Sequence, residues 1–341
     1  MTRRLETDIP SCLITGGAGF IGSHLAERLV RSGWHVRILD NMSSGSSANL
    51  SAADDADENG DSLQLIKGDC TNPRDVRDAL NGVGVVFHLA ANPEVRLDRS
   101  DSDTCFQQNL FTTYVILEEM KRAEAEMIVF TSSSTVYGKA RTLPTREDYA
   151  PLEPVSLYGA SKLASESLIS AYCHTYRWRG IALRLANVVG PRCRHGVIYD
   201  FVMKLLRNPK EMEILGDGRQ EKSYLHVDDC VSAICGVFQS SRERFEVFNV
   251  GSTDQIRVGK IATIVANEMG INAPNVKYGE EFDGGGGWIG DVEKMLLDTT
   301  KLRSSGWHQR YHSAHAVQSA TRSMLAELSL QHTPLFSEAL R

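Results

Sequence analysis

The sequence predicts an α/β protein in which a doubly wound parallel sheet is followed by a smaller C-terminal domain. Three observations carry that prediction. Short β-branched runs alternate with longer amphipathic stretches through the first two thirds of the chain, the order expected when crossover helices cover a parallel sheet. The first strand-to-helix junction holds Gly16, Gly19 and Gly22 within Thr15-Gly16-Gly17-Ala18-Gly19-Phe20-Ile21-Gly22. From about Gly190 the pattern becomes irregular, with shorter elements and more turn residues. A chain of 341 residues is long enough for two cooperating domains. One is expected over 1–187, with segments near 224–265 returning to it, and a smaller substrate-facing one over 188–330. Residues 331–341 read as a tail.

The buried strands are expected at 11–15, 36–39, 63–66, 85–89, 127–131 and 181–185, each a short run rich in Val, Ile and Leu. Between them, 21–32, 73–80, 109–123 and 156–176 read as helices. In the first of these, Ile21, Leu25 and Leu29 recur at four-residue steps and make one apolar stripe. Two segments interrupt the order. Residues 43–61 are rich in Ser, Ala, Asp and Gly and read as a solvated loop, its acidic run Asp54-Asp55-Ala56-Asp57-Glu58 a solubilising face. The second is the glycine run from Asp283 to Gly287, after which the chain resumes at Trp288.

Composition excludes several classes. Apolar residues make up 42% and charged residues 23%, as in ordinary globular proteins. The net charge of −6 argues against a nucleic-acid-binding surface, which needs a basic excess. No apolar run approaches the roughly 20 residues of a membrane span, and MTRRLETDIP has no apolar core of a secretion signal. Seven scattered cysteines without a C-x-x-C pair read as reduced thiols, so a cytoplasmic location is expected. Cys193-Arg194-His195 is a weak metal-ligand candidate, since flanking arginines disfavour a cation and no second pair lies nearby; no metal is expected.

The glycines gain meaning from their setting. Gly16 permits a tight turn, Gly19 lets the backbone approach a pyrophosphate, and Gly22 lets helix and strand pack closely, as in a Rossmann unit. The helix N-terminus then offers N–H groups to phosphate. Asp40 ends the second strand about 20 residues on, where a carboxylate accepts hydrogen bonds from ribose hydroxyls and repels a 2′-phosphate. Asn41-Met42-Ser43-Ser44-Gly45 offers no arginine to neutralise one. NAD is therefore expected rather than NADP. Asp69, before Cys70, is placed either to contact adenine or to cap the next helix.

The chemistry is carried by a second set. Tyr158-Gly159-Ala160-Ser161-Lys162 puts a phenol and an ammonium at i and i+4, on one helical face. A phenol titrates near ~10, too high for a base at neutral pH, and a neighbouring cation lowers that value. A strand between the two motifs ends in Thr131-Ser132-Ser133-Ser134-Thr135-Val136-Tyr137-Gly138. One hydroxyl of this run can bridge a substrate oxygen and Tyr158.

With these blocks, and with VFHLAA (86–91), RLANVVGP (184–191), GDGRQEKSYLHVDD (216–229) and GDVEKMLLDTTKL (290–302), the chain from about Cys12 to about Trp307 resembles the extended short-chain dehydrogenase/reductases, in their nucleotide-sugar epimerase and dehydratase branch. The resemblance implies Tyr158 as base, Lys162 as its partner, and Ser133, four positions before Tyr137, as the bridging hydroxyl. It implies cofactor contacts from Gly16, Gly19, Phe20, Ile21, Gly22, Asp40, Asn41, Ser43, Gly45, Asp69, Cys70, Leu89, Ala90, Ala91 and Asn109, joined by Tyr158 and Lys162. Substrate contacts are implied for Ser133, Ser134, Asn187, Val197, Phe201, Lys222, Tyr224 and Asp291.

Dehydratases of this branch carry an Asp-Glu pair directly after the bridging hydroxyl, decarboxylases a Glu at the second place, and 3,5-epimerases a Cys there. Here the two places are Ser134 and Thr135, which cannot perform elimination. What remains is removal and return of a hydride, so the expected reaction is 4-epimerisation of a UDP-sugar, of the glucose/galactose type, through a 4-keto intermediate. UDP-glucuronate or UDP-N-acetylglucosamine epimerases, a decarboxylase, a dehydratase and a non-catalytic NAD-binding regulator stay open. Lys222 stands where the family has a diphosphate-gripping Arg, and no arginine precedes Gly290-Asp291. Pro93 replaces a lysine found near the cofactor phosphates of some epimerases, and Met295 falls at a position that gates the sugar pocket. The resemblance also implies a homodimer, paired through the helices at 109–123 and 156–176.

Overall fold

The computed structural model describes residues 10–57, 60, 62–94, 102–280 and 287–331. Six strands form in order: β1 (Ser11–Thr15), β2 (His35–Asp40), β3 (Leu63–Lys67), β4 (Val85–His88), β5 (Met127–Ser133) and β6 (Arg179–Leu185). A seventh, Phe245–Val250, joins the same sheet, whose order is Phe245–Val250, β6, β5, β4, β1, β2, β3. β1 pairs in parallel with both β2 and β4, β2 with β3, and β4 with β5. The strand order therefore reverses between β1 and β4, the switch point at which open α/β sheets receive ligands.

The chain divides into two compact units, Met1–Ser132 with Ser161–Leu183 and Phe238–Val247, and Ser133–Ala160 with Arg184–Val237 and Phe248–Arg341. In the first, β1, β4 and β5 contribute Leu13, Val86, Ile128 and Phe130 to a core filled by Leu80, Ile116, Leu117 and Met120 from the helices. The helix Phe20–Val30 buries Leu25 and Leu29 of the predicted stripe, together with Ala26 and Val30, while Ile21 is half-buried. Pro73–Leu80 starts where expected, because Pro73 opens it and the Asn72 side chain accepts from Arg74 N–H.

Two expectations are corrected. Residues 43–61 are not only solvated loop: Ser47–Leu50 and Ser51–Asp54 form short helical turns that bury Leu50 and Ala53. Within the acidic run, Asp57 accepts from the N–H groups of Ser62 and Leu63, so it shapes the chain's entry to β3; Glu58 lies outside the described residues. The expected helix over 109–123 is regular only from Thr112 to Ala123, and Phe106–Phe111 before it is a π-helical turn. The hydroxyls of Thr112 and Thr113 donate to the carbonyls of Gln108 and Asn109, competing with the α-helical ladder at that turn.

In the second unit the helices Gly196–Arg207, Val258–Glu268 and Ser313–Gln331 share a core of Ile198, Phe201, Val202, Leu205, Ile261, Val265, Val317 and Ala320. Short strands pair around it, Asn187–Val189 with Tyr224–His226 and Glu211–Ile214 with Asn275–Tyr278. The glycine run at 284–286 and the tail at 332–341 lie outside the described residues. Among those described, no helix is long and apolar enough to cross a membrane.

Candidate active site

The glycine loop is shaped by close approach of backbone to backbone. Gly16 has φ +68°, and a Cβ there would lie 2.8 Å from Ala90 Cα and N. A Cβ on Gly22 would lie 2.3 Å from Gly16 O, so the first turn of the helix Phe20–Val30 rests on the loop itself. The cap of that helix is Gly19, which has no side chain to satisfy the first-turn N–H groups. Phe20 and Ile21 follow it, half-buried.

Asp40 is buried and divides its carboxylate between two backbones. Oδ2 accepts from Ala18 N–H at 3.0 Å and Oδ1 from Met42 N–H at 2.9 Å. It thereby ties the glycine loop to the segment after β2. That segment is drawn in further where Ser46 N–H and Asn49 Nδ2 both donate to Ala18 O. A Cβ on Gly45 would lie 2.9 Å from Asp40 Oδ1, while Asn41 and Ser43 are exposed. Asn41 Nδ2 donates to Asp69 Oδ2 at 3.2 Å, and Asp69 Oδ1 accepts from Thr71 N–H and Oγ1. The helix cap is Asn72, so Asp69 does not hold that role. The Cys70 side chain packs into the first unit's core.

Beyond β4, Leu89, Ala90 and Ala91 are half-buried, and Leu89 and Ala90 N–H donate to Thr15 O and Oγ1. Asn109, on the π-turn, accepts from Asn92 N–H at 2.8 Å and donates to Ser161 Oγ at 3.0 Å. His88 sits between Thr15 Oγ1 at 2.8 Å and Thr113 Oγ1 at 3.0 Å. Burial first, and the charge of Lys162 second, push its imidazole down to about 3, so it is neutral.

Tyr158 and Lys162 share the helix Leu157–Tyr176, one turn apart. Lys162 is 2% exposed. Its Nζ donates to Thr131 O at 2.9 Å and lies 4.7 Å from the centre of the Phe130 ring. Burial pushes the ammonium down to about 7, and the Glu166 carboxylate opposes that shift. Tyr158 is half-buried.

In the second unit Ser133 ends β5 and caps the turn Ser134–Tyr137. Its Oγ accepts from Thr135 N–H at 3.2 Å and from Thr135 Oγ1 at 2.9 Å. Ser134 is half-buried beside it. Asn187 Nδ2 donates to Ser223 O at 3.2 Å. Lys222 and Asp291 are brought together: Nζ lies 2.6 Å from Oδ1, and 5.1 Å from the centre of the Trp288 ring. Asp291 also accepts from Gly287 and Val292 N–H, so the Lys222 charge is already matched. Phe201 and Tyr224 are buried, both packed in the second unit's hydrophobic cluster with Val197 partly buried against it. Burial pushes the Tyr224 phenol up. The Cys193 thiol donates to His195 O and is pushed up to about 11, chiefly by burial. Among the described residues, no group of three His, Cys, Asp or Glu side chains could hold a metal ion.

The sequence profile of the NAD dependent epimerase/dehydratase family matches residues 12–251. The chain belongs to this family. A UDP-glucose 4-epimerase of Mycolicibacterium smegmatis is 33% identical over 315 residues, 89% of this chain and 95% of its own. A crystal structure of UDP-galactose 4-epimerase, 40% identical, superimposes with a TM-score of 0.81 over 93% of this chain and 99% of that one. The complex of MoeE5 with UDP-glucuronic acid and NAD, 30% identical, gives 0.80 over 93% and 99%.

NAD is the cofactor of this family member, and the first unit fits it. The loop has no Cβ where one would strike backbone, the helix cap leaves N–H groups for phosphate, and a carboxylate is fixed at the end of β2. Sequence reasoning missed Glu166, which is 3% exposed and accepts a hydrogen bond from Ser132 Oγ. It sits at i+4 from Lys162, a spacing that was there to be read. His88 was quoted only as part of a motif. Asn249, which joins Tyr137 Oη to the carbonyls of Thr145 and Asp298, had no local signal.

Proposed function

We propose that this NAD-dependent nucleotide-sugar epimerase/dehydratase catalyses 4-epimerisation of a UDP-sugar of the glucose/galactose type. The observation that carries the reading is the hydroxyl set after β5. Ser133 Oγ is held by Thr135, and the two places beside it are Ser134 and Thr135, with no carboxylate or thiol for elimination or inversion at a neighbouring carbon. The similarity to a UDP-glucose 4-epimerase and a UDP-galactose 4-epimerase supports this reading.

NAD, when bound, supplies the acceptor and, once reduced, the donor of a hydride at sugar C4. Tyr158 Oη takes the proton of the 4-hydroxyl, and Lys162 favours the phenolate by charge. Ser133 donates to the same sugar oxygen, since its own oxygen is occupied by two donors from Thr135. The 4-keto sugar turns its opposite face, and Tyr158 returns the proton to give the inverted alcohol. Asn187 contributes an amide toward the diphosphate, a contact of lower charge than the arginines it accompanies in the family. Tyr158→Phe should lower turnover roughly 10²–10⁴-fold while NAD stays bound. Chromatography of UDP-glucose and UDP-galactose after incubation is the assay. An active Phe variant, or no interconversion by the wild type, sinks the assignment. The same reading carries a homodimer through Thr112–Ala123 and Leu157–Tyr176, which leave Tyr114 and Tyr176 exposed; light scattering on the intact protein tests it. The reduced thiols favour a cytoplasmic location.

A further inference from the structure

We propose that Glu166 is a positioning residue for this reaction, its buried carboxylate keeping Lys162 charged and thereby keeping the Tyr158 phenol ready to take a proton. The proposal rests on the roles given to Tyr158 and Lys162 above. The helix Leu157–Tyr176 places Tyr158, Lys162 and Glu166 at successive four-residue steps, on one stripe. Consecutive residues of β5 grip the two charged groups. Thr131 O accepts from Lys162 Nζ at 2.9 Å, and Ser132 Oγ donates to Glu166 Oε1. Lys162 and Glu166 are 2% and 3% exposed, so neither charge is screened by water.

A buried ammonium without an anionic neighbour gives up its proton. The groups around Lys162 show what opposes that loss. His88 faces it from β4 but is held neutral by its own burial, and adds no negative charge. The Phe130 ring offers only a cation–π contact. Burial drives Lys162 down to about 7, and Glu166 is the group that opposes the fall. An uncharged Lys162 has no positive charge with which to favour a phenolate at Tyr158.

Glu166→Gln keeps the shape and the acceptor for Ser132 but removes the charge. The test is a near-ultraviolet tyrosinate titration of the NAD-loaded protein, taken as wild type less Tyr158→Phe, and repeated with Glu166→Gln in both. The Tyr158 phenol should titrate higher by roughly one unit or more, the size of an opposite-charge effect at close range. The alkaline limb of the kcat/KM profile, which reports loss of the Lys162 proton, should move down by a similar amount. An unmoved phenol overturns the proposal. So does one that titrates lower, because a Lys162 that stayed charged without Glu166 would leave only the removal of a negative group, which favours phenolate. If the Gln variant does not fold, Glu166→Asp and Ser132→Ala displace the carboxylate without removing it. Each should raise the phenol by a smaller step, and two unmoved titrations overturn the proposal. The titration needs no sugar, so a wild type that fails to interconvert UDP-sugars defeats the proposed function and leaves this test standing.

Discussion

Replacing Gly22 with alanine tests whether the cofactor loop and the helix after it are one packed unit. The added methyl would lie 2.3 Å from Gly16 O and 2.7 Å from Gly17 Cα. Both are backbone atoms, so no rotamer change relieves the clash. The helix must retreat by about 1 Å to restore van der Waals distance, carrying Leu25, Ala26 and Leu29 out of register with the core they fill. Overpacking of this kind costs roughly 1–3 kcal/mol. The same retreat moves the N–H groups meant for phosphate, so NAD affinity should fall at least about tenfold, or ~1.4 kcal/mol. Gly236→Ala is the matched control. It lies inside the helix Val227–Ser240 with nothing within 4 Å of its Cβ, and should stabilise by roughly 0.5–1 kcal/mol. Urea unfolding gives the two stabilities, and calorimetric titration gives NAD affinity. A Gly22→Ala protein as stable as the wild type, binding NAD equally well, would refute the close-packing argument.

Asp40→Asn should weaken NAD binding tenfold or more in the same calorimetric experiment. An amide has one acceptor oxygen, and the native carboxylate uses both, for Ala18 and Met42 N–H, so one charge-assisted bond worth roughly 1.5–3 kcal/mol is lost. His88 gives a pH signature. Its folded value near 3 lies below the unfolded ~6.5, so the unfolded chain takes up a proton first as pH falls. The stability from the neutral imidazole is therefore complete above about pH 6.5 and is lost on the way down to 3, by on the order of 5 kcal/mol. Urea midpoints of His88→Gln should fall less steeply than the wild type between pH 7 and pH 4; parallel curves would contradict the assignment.

The strands were legible because they are local: β1 is the apolar run Cys12-Leu13-Ile14 between Ser11 and Thr15, and its expected and observed limits coincide at Ser11–Thr15. The glycine loop was legible because the need for glycine is itself local. Contacts between distant residues were not. Lys222 meets Asp291 across 69 positions, Ser132 meets Glu166 across 34, and Tyr137 meets Asn249 across 112, and periodicity carries no register over such spans. The segment 43–61 looked solvated because Leu50 and Ala53 are its few anchors and polar bonds to Ala18 O do the rest. The burial of Phe201 has a local signal. Ile198, Phe201, Val202 and Leu205 form a helical stripe, the spacing of a face turned to a core.

In the proposed function an ordinary structural role and a chemical one coincide in the single oxygen of Ser133. As the cap of the turn Ser134–Tyr137 it accepts from Thr135 N–H, which any serine in such a turn can do. The Thr135 hydroxyl fills a second acceptor position. A hydroxyl has two acceptor lone pairs and one donor, so the donor is the capacity that remains. A capped turn thus converts a two-way hydroxyl into a one-way donor, fixed at the carboxyl end of β5. In the proposed 4-epimerisation a carbonyl oxygen at sugar C4 needs a donor, and a hydroxyl oxygen there accepts the same bond, so one unmoving group serves both states of the sugar. Thr135 is then more than the absence of an acid or a thiol. It is the residue that gives Ser133 its direction, and a glutamate in its place would trade that fixed donor for a second ionisable group.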